Sequence, residues 1–332
     1  MKYRVTLIPG DGIGPEVTDA TCRVLEAAGA PVEWDVQLAG MAAVEAGHDP
    51  LPESVLASLR RNRVGLKGPL MTPQGGGYRS ANVTLRQELE LFTGLRPVLS
   101  LPGVKTPYDD VDIVVLRENT EDLYAGIEHE VTPGTIVSLK VSSAEAGERI
   151  ARWGFEYARN NGRRKITVCH KKSILPRADG AFVDAFYEVG RDYPFIQQDE
   201  ISLDQVSMQL AADPSEFDVL LLQNLYGDII SDICAGLVGG LGVVPGANIG
   251  DKIAVFEAVH GTAPDIAGKG IANPLALLLS GVLMMDHMGE RRVAERVRQA
   301  IWDVLAEGKH VTGDLGGSAN TKTFADALID KL

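Results

Sequence analysis

The chain has 332 residues, 45% of them hydrophobic, with a mean hydropathy near zero and a formal net charge of −13. That is the composition of a globular protein, long enough for two lobes rather than one core. The acidic balance argues against nucleic-acid and membrane-surface proteins, which present basic patches, so an anionic ligand would need local arginines to overcome the background.

Cys22, Cys169 and Cys234 lie far apart and form no CxxC pair, which excludes the usual zinc spacings and fits a reducing compartment. No apolar leader or Arg/Ser-rich transit pattern follows Met1. No run approaches the roughly 18 apolar residues of a membrane span. The expectation is a cytoplasmic protein with neither membrane nor nucleic acid as partner.

Tyr3 to Ile8 reads as a first strand, followed by Pro9-Gly10-Asp11-Gly12-Ile13-Gly14-Pro15. Pro15 suits the first helical position, and Val17, Ala20, Val24, Leu25 and Ala28 keep the helical period until Gly29. This loop is not a Rossmann fingerprint. Its glycines run G-x-G-x-G rather than G-x-G-x-x-G, and Pro15 removes an amide that a phosphate would need. It reads as a structural turn.

Val64 to Gly77 is Gly/Pro-rich and reads as a loop of the kind that carries function. Arg79 to Arg86 then leads into a helix predicted to run through Leu89 and Phe92 to Arg96-Pro97. Val111 to Leu116 is a strand that empties into Arg117-Glu118-Asn119-Thr120-Glu121. Thr132-Pro133-Gly134-Thr135 between two β-like runs predicts a hairpin arm, and Ser142 with Glu145 a capping box for a helix bearing Ile150, Trp153 and Tyr157. Strands at 165–169, 217–222 and 253–258 end at His170-Lys171-Lys172, Asn224-Leu225-Tyr226-Gly227-Asp228 and Val259-His260-Gly261. Four strands thus deliver polar residues at their carboxyl ends, where open α/β sheets bind ligands. Pro274 to Met288 and Arg291 to Glu307 read as helices.

The stretch from Asn224 to Asp232 opens a helix that puts Asp228 and Asp232 four residues apart on one face. Two carboxylates so placed repel by about 0.2–0.5 kcal/mol. A hard divalent cation would turn that liability into a site. On spacing alone a solvated acidic face is the plainer reading.

Gly10 to Glu16, Arg117 to Glu121, Asn224 to Asp228 and His260-Gly261-Thr262-Ala263-Pro264 occur in this order along essentially the whole chain. Together they resemble the motifs of the β-decarboxylating dehydrogenases, the isocitrate, homoisocitrate and isopropylmalate enzymes. The resemblance implies an α/β, two-lobed, isopropylmalate dehydrogenase-like fold rather than a Rossmann domain. It pairs residues 1–92 with 239–332 in a large lobe, leaving 93–238 as a small lobe with a β-arm near 125–141 at a dimer interface.

The implied chemistry is Mg²⁺- or Mn²⁺-dependent oxidation of a 2-hydroxy acid followed by loss of CO₂. Asp228 and Asp232 match metal ligands of one subunit, and Asp204 the ligand from its partner. Arg86, Arg96 and Arg117 match the substrate arginines, whose planar forks suit carboxylates. Lys171 matches a lysine that reaches in from the partner to help deprotonate the hydroxyl, and Tyr124 a tyrosine that protonates the enolate. Both would form a site shared within a homo-oligomer. The resemblance further implies that an adjacent lysine and metal lower the pKa of Tyr124.

Ser80 and Asn82 match the Ser-x-Asn pair that meets the γ-carboxylate in the isocitrate enzymes. Asp265 and Ile266 match the NAD pattern, a carboxylate that accepts from the ribose hydroxyls and repels a 2′-phosphate, although Asp265 alone would read as a turn residue. His260, Gly261 and Asn273 match contacts around the adenine and ribose, and Thr72 one near the nicotinamide ribose. The chain departs from many members at Ser173, where they carry asparagine, and at Thr93-Gly94, where they read Ala-Asn. The sequence therefore predicts an NAD-dependent enzyme acting on isocitrate, with homoisocitrate and then isopropylmalate as the next substrates. A non-catalytic regulatory subunit is the rival. The presence of Tyr124, Lys171, Asp204, Asp228 and Asp232 together speaks against it.

Overall fold

The first strand, β1 (Tyr3–Ile8), is buried from Val5 onward and turns through Gly10 to Gly14 into α1 (Gly14–Ala27). This computed structural model describes residues 2–71 and 80–332. Pro15 lies in the first turn of α1, and Gly29, at a φ of 84°, follows its end. The turn reading of the glycine loop has a steric basis. Gly12 sits at a φ of 61°, and a Cβ there would lie 2.0 Å from the carbonyl oxygen of Thr262. Between the glycines, the Asp11 carboxylate accepts the amides of Met41, Ala42 and Met71 at 3.0, 3.0 and 2.7 Å.

Next come β2 (Val32–Val36), α2 (Met41–Glu45), α3 (Glu53–Asn62), β3 (Val64–Lys67), α4 (Ala81–Glu88), β4 (Thr93–Leu99) and β5 (Asp112–Glu118). Two sequence readings fail here. Val64 to Lys67 is not loop but a strand between β1 and β12 (Ala254–Ala258). With four residues, one of them glycine, it is too short to show a period. The helix predicted to reach Arg96-Pro97 stops at Glu88, because Glu90 takes a φ of 50° and the chain turns back as β4. Pro97 is tolerated because β4 pairs with β5 along its length but with β11 (Pro245–Ile249) only at Thr93–Leu95.

The exposed hairpin of β6 (Glu128–Thr132) and β7 (Thr135–Ser138) forms as predicted. Then follow α5 (Ala144–Asn160), β8 (Lys165–His170), α6 (Ala178–Gly190), β9 (Gln197–Ser202), α7 (Leu203–Ala212), β10 (Val219–Leu222) and α8 (Asn224–Leu237). The cap of α5 is Ser143, not Ser142. The Ser143 hydroxyl accepts from Ala146 N–H, while Glu121 takes the amide and hydroxyl protons of Ser143. Ser142 donates instead to the carbonyl of Ala178. After β11 and β12 the chain ends in α9 (Leu275–His287), α10 (Arg291–Glu307) and α11 (Thr321–Ile329).

Among the described residues ten strands form one mixed sheet, in the order β2-β1-β3-β12-β11-β4-β5-β10-β8-β9. The strands from β2 to β12 are parallel, those from β5 to β9 are parallel, and the antiparallel strands β11 and β4 join the two halves. All four residues of β10, Val-Leu-Leu-Leu, are buried, as a strand covered on both faces requires. Helices α1, α9, α10 and α11 pack on one another beside the first half, and α5 and α6 do so beside the second. No helix among the described residues is long and apolar enough to cross a membrane.

Candidate active site

Where the two halves meet, the carboxyl ends of β3, β5 and β12, together with β4, α4 and α8, enclose a polar cavity of about 190 Å³. It brings together Asn82, Arg86, Arg96, Arg117, Asp228, Asp232, His260 and Gly261 from the sequence-predicted set. Arg117 crosses the first turn of α8. Its Nε and Nη2 donate to Asn224 Oδ1 at 3.0 and 2.8 Å, and its Nη1 pairs with Asp228. The path requires Gly227. A Cβ there would lie 2.6 Å from Arg117 Cγ and 2.7 Å from its Cβ. The half-buried Tyr124 donates its hydroxyl to the other Asp228 oxygen, and the Arg117 guanidinium carbon lies 4.9 Å from the centre of the Tyr124 ring.

Sequence reading missed the groups that anchor these arginines. Glu257, buried at the end of β12, accepts from Lys67 Nζ at 2.6 Å, Arg86 Nη2 at 3.1 Å and Asn248 Nδ2 at 2.6 Å, with Arg96 Nη2 at 3.6 Å. Burial alone would raise the pKa of Glu257, but Lys67, Arg86 and Arg96 outweigh it and hold the carboxyl far below the usual range. Burial lowers the pKa of Arg96 to about 10 despite Glu257, so Arg96 stays charged at neutral pH. Lys67 lay in the segment taken for a loop, and Glu257 read as one more residue of an apolar strand.

Asp232 is pushed up, first by burial and then by Asp228, with Arg117 and Arg96 opposing. Its carboxylate has no hydrogen-bond or ion-pair partner among the described residues. Two hard oxygen donors one helical turn apart, one unpartnered, fit a divalent cation. No group of three or more His, Cys, Asp or Glu side chains converges as a metal cage among the described residues. Asp228 and Asp232 thus form a partial set. The pKa of Tyr124 is raised by burial and by its bond to Asp228, with Arg117 opposing.

Lys171 and Asp204 form a separate pair. Lys171 follows β8, Asp204 opens α7, and the two make an exposed ion pair with each other rather than lining the cavity. Lys171 holds the carboxyl of Asp204 below its ordinary range.

His260 lies between the polar cavity and a second cleft of about 520 Å³, lined also by Ile266, Asn273 and Asp314. Its Nε2 is buried without a partner, and burial lowers the ring's pKa. Asn273 donates to Asp314 at 2.8 Å and accepts Leu275 N–H, which fixes the cleft's wall. An unpartnered ring nitrogen beside a partly apolar cleft fits a nucleotide. Asp265 is exposed, next in the chain to Ile266, and Ser80 is exposed at the start of α4. Thr72 lies outside the described residues. Asn82 Oδ1 and Arg86 Nε are buried without partners and face the polar cavity.

The sheet, with this arginine- and carboxylate-lined cavity at the carboxyl ends of its strands, has the architecture of an α/β enzyme. The family model described as isocitrate/isopropylmalate dehydrogenase matches residues 4–328, and the chain belongs to that family. It is 50% identical over 328 residues to the NAD isocitrate dehydrogenase catalytic subunit 5, mitochondrial, of Arabidopsis thaliana, covering 98% of this chain and 88% of that protein. It is 47% identical over 330 residues to a mitochondrial protein of Dictyostelium discoideum named as a regulatory subunit of NAD isocitrate dehydrogenase, covering 99% and 92%. The crystal structure of isocitrate dehydrogenase from Methylococcus capsulatus superposes with a TM-score of 0.96 at 48% identity, covering 99% of each chain.

Proposed function

We propose that the chain oxidises and decarboxylates isocitrate to 2-oxoglutarate and CO₂, reducing NAD, with Mg²⁺ or Mn²⁺ bound. The charge balance of the cavity carries this reading. Lys67, Arg86, Arg96 and Arg117 face Asp228, Asp232 and Glu257, leaving one positive charge. A divalent cation raises this to three, which matches a tricarboxylate in an otherwise acidic protein. Arg86, Arg96 and Arg117 bind carboxylates, and the Asn82 side-chain N–H and the Ser80 hydroxyl, both donors, select the γ-carboxyl end.

Asp228 and Asp232 would hold the cation, with Asp204 contributed by a second copy. When bound, it supplies Lewis-acid stabilisation of the negative charge that develops on the substrate oxygens. Lys171 takes the hydroxyl proton in the partner's site, and NAD, when bound, would supply the hydride acceptor. Tyr124, kept protonated by burial, delivers a proton to carbon after CO₂ leaves. His260, Ile266 and Asn273 of the second cleft, with Gly261 and Asp265 beside them, would hold NAD, and Thr72, which lies outside the described residues, is proposed as a further contact.

A homo-oligomer, at least a dimer, is part of the proposal. The hairpin arm exposes Val131 and Ile136, and α7 and α8 expose Met208 and Ile229, apolar surface that a second copy would cover. In this reading the lobe of 93–238 makes the interface, and 1–92 with 239–332 holds the cofactor.

Steady-state reduction of NAD and NADP, with Mg²⁺ or Mn²⁺, for isocitrate, homoisocitrate and isopropylmalate tests it. The expected result is the highest kcat/KM for isocitrate with NAD. Preference for homoisocitrate overturns the substrate, and preference for NADP the role of Asp265. Turnover appearing only on addition of a second kind of subunit would make the chain regulatory.

A further inference from the structure

Below the hairpin arm a buried cluster of charges touches none of the groups assigned to the chemistry, yet it reaches three segments that carry them. Lys140 ends the arm, and its side chain is largely buried. Its Nζ donates to Asp179 Oδ1 at 2.7 Å and to Gln223 Oε1 at 2.7 Å. It lies 3.8 Å from Asp122 Oδ1 and 4.3 Å from the centre of the Tyr226 ring.

Each contact leads to the site. Asp179, fully buried in the first turn of α6, accepts the backbone N–H of Lys171 on its other oxygen at 2.6 Å. Gln223 is the residue before α8, the helix of Asp228 and Asp232. Asp122 accepts Leu225 N–H at 2.8 Å, and its backbone pairs with Val141 at the foot of the arm, two residues before Tyr124. Asp122 also holds a φ of 73°, a costly conformation for a side chain with a Cβ, kept in place by these contacts.

One ammonium therefore serves two buried carboxylates, each of which spends its other oxygen on a backbone amide of the catalytic segments. A surface pair would do none of this. Remove the ammonium, and two carboxylates are left facing each other's segments without a shared cation.

We propose that Lys140 is a positioning residue of the reaction: it fixes Lys171, through Asp179, relative to Tyr124 and α8, through Asp122 and Gln223. The inference rests on the roles given above to Tyr124, Lys171 and Asp228. Because Lys140 is also where the arm joins the body, seating a second copy on the arm bears directly on this pin.

The test uses the full chain with Lys140→Met, Lys140→Cys alkylated with 2-bromoethylamine to restore an ammonium at nearly the same reach, and Asp179→Asn. The wild type, whose three cysteines are buried, is carried through the same alkylation. The expected result for Lys140→Met is a kcat at least tenfold lower, with KM for isocitrate and NAD within twofold. The alkylated variant should recover at least half the wild-type kcat. Hydrogen exchange of the peptide containing the Lys171 amide should quicken at least tenfold in Lys140→Met, while peptides of β10 stay unchanged.

A wild-type kcat in Lys140→Met, or a lowered kcat that alkylation does not restore, overturns the proposal. If Lys140→Met does not fold, the isosteric Asp179→Asn decides by the same kcat and exchange readouts. Failure of the wild type to turn over isocitrate would instead fault the functional reading. The exchange at Lys171 reports on the pin in either case.

Discussion

Replacing Glu257 with glutamine tests the charge argument most directly. Glu257 receives Lys67 on one oxygen and Arg86, Arg96 and Asn248 on the other. Whichever way a glutamine amide turns, its NH₂ faces donors. The change leaves three buried cations without their common anion. Removing one partner of a buried ionic group costs about 3–5 kcal/mol. At roughly 2.1 cal/mol/K of unfolding entropy per residue, a chain of 332 residues carries about 0.7 kcal/mol/K. The expected fall in Tm is therefore about 4–7 °C.

The pH dependence gives a second check. Glu257 has a depressed folded pKa, so its stabilisation is fully present above the unfolded value of about 4.3 and is lost as pH falls below it. The gap between wild type and Glu257→Gln should be full at pH 7, begin to narrow below about pH 4 and close only well below that, where the folded carboxyl itself takes up a proton. A bound tricarboxylate should raise the Tm of the variant more than that of the wild type, since it now meets one more uncompensated cation. Differential scanning calorimetry with and without isocitrate reads all three. A variant within about 1 °C of wild type at pH 7, or a gap that does not narrow at all between about pH 5 and pH 3, would refute the reasoning.

Tyr124→Phe should lower kcat by about 10²–10⁴-fold, the usual worth of a positioned acid, while Mn²⁺ and isocitrate titrations remain near wild type. Retained turnover would remove Tyr124 from the chemistry. Gly227→Ala gains about 1 kcal/mol of helix propensity, yet its Cβ would collide with Arg117. The KM for isocitrate should rise at least about tenfold and Tm should fall, which circular dichroism and initial rates will show. Asp265→Lys should move the ratio of kcat/KM values from NAD toward NADP at least about tenfold, since it exchanges repulsion of a 2′-phosphate for attraction. An unchanged ratio would make Asp265 a turn residue.

How far the sequence could be read depended on whether a residue's role was local. The hairpin, β10 and α10 followed from turn chemistry and periodicity, and the arginines and aspartates from motifs. The failures were at places where partners distant in sequence decide. β3 is a strand because β1 and β12 flank it, and its own four residues carry no period. Thr93 to Leu99 became a strand because Glu90 breaks the helix and β5 offers a full-length partner. Glu257 and Lys67 lie far apart in the chain, and nothing in either segment announces their pair. Ser142 lost the cap to Ser143 because Glu121, from another segment, receives both of the latter's protons.

The proposed catalytic set is divided, and the division has an electrostatic logic. Asp228 is held by Arg117 and Tyr124, while Lys171 and Asp204 hold each other. In the proposed shared site Lys171 cannot act as a base while it is paired with Asp204, and Asp204 cannot serve a cation while paired with Lys171. If Asp204 held a cation, Lys171 would be left unpaired, and if Asp228 held it, Arg117 and the Tyr124 hydroxyl would be left for the substrate. Binding of the metal and readiness of the acid and base would then be one step rather than two. Asp204→Asn should then weaken Mn²⁺ binding and also shift the pH dependence of turnover at Mn²⁺ below saturation, because Lys171 loses its resting partner. A variant that loses metal affinity with an unmoved pH profile at subsaturating Mn²⁺ would show that the two pairs act independently.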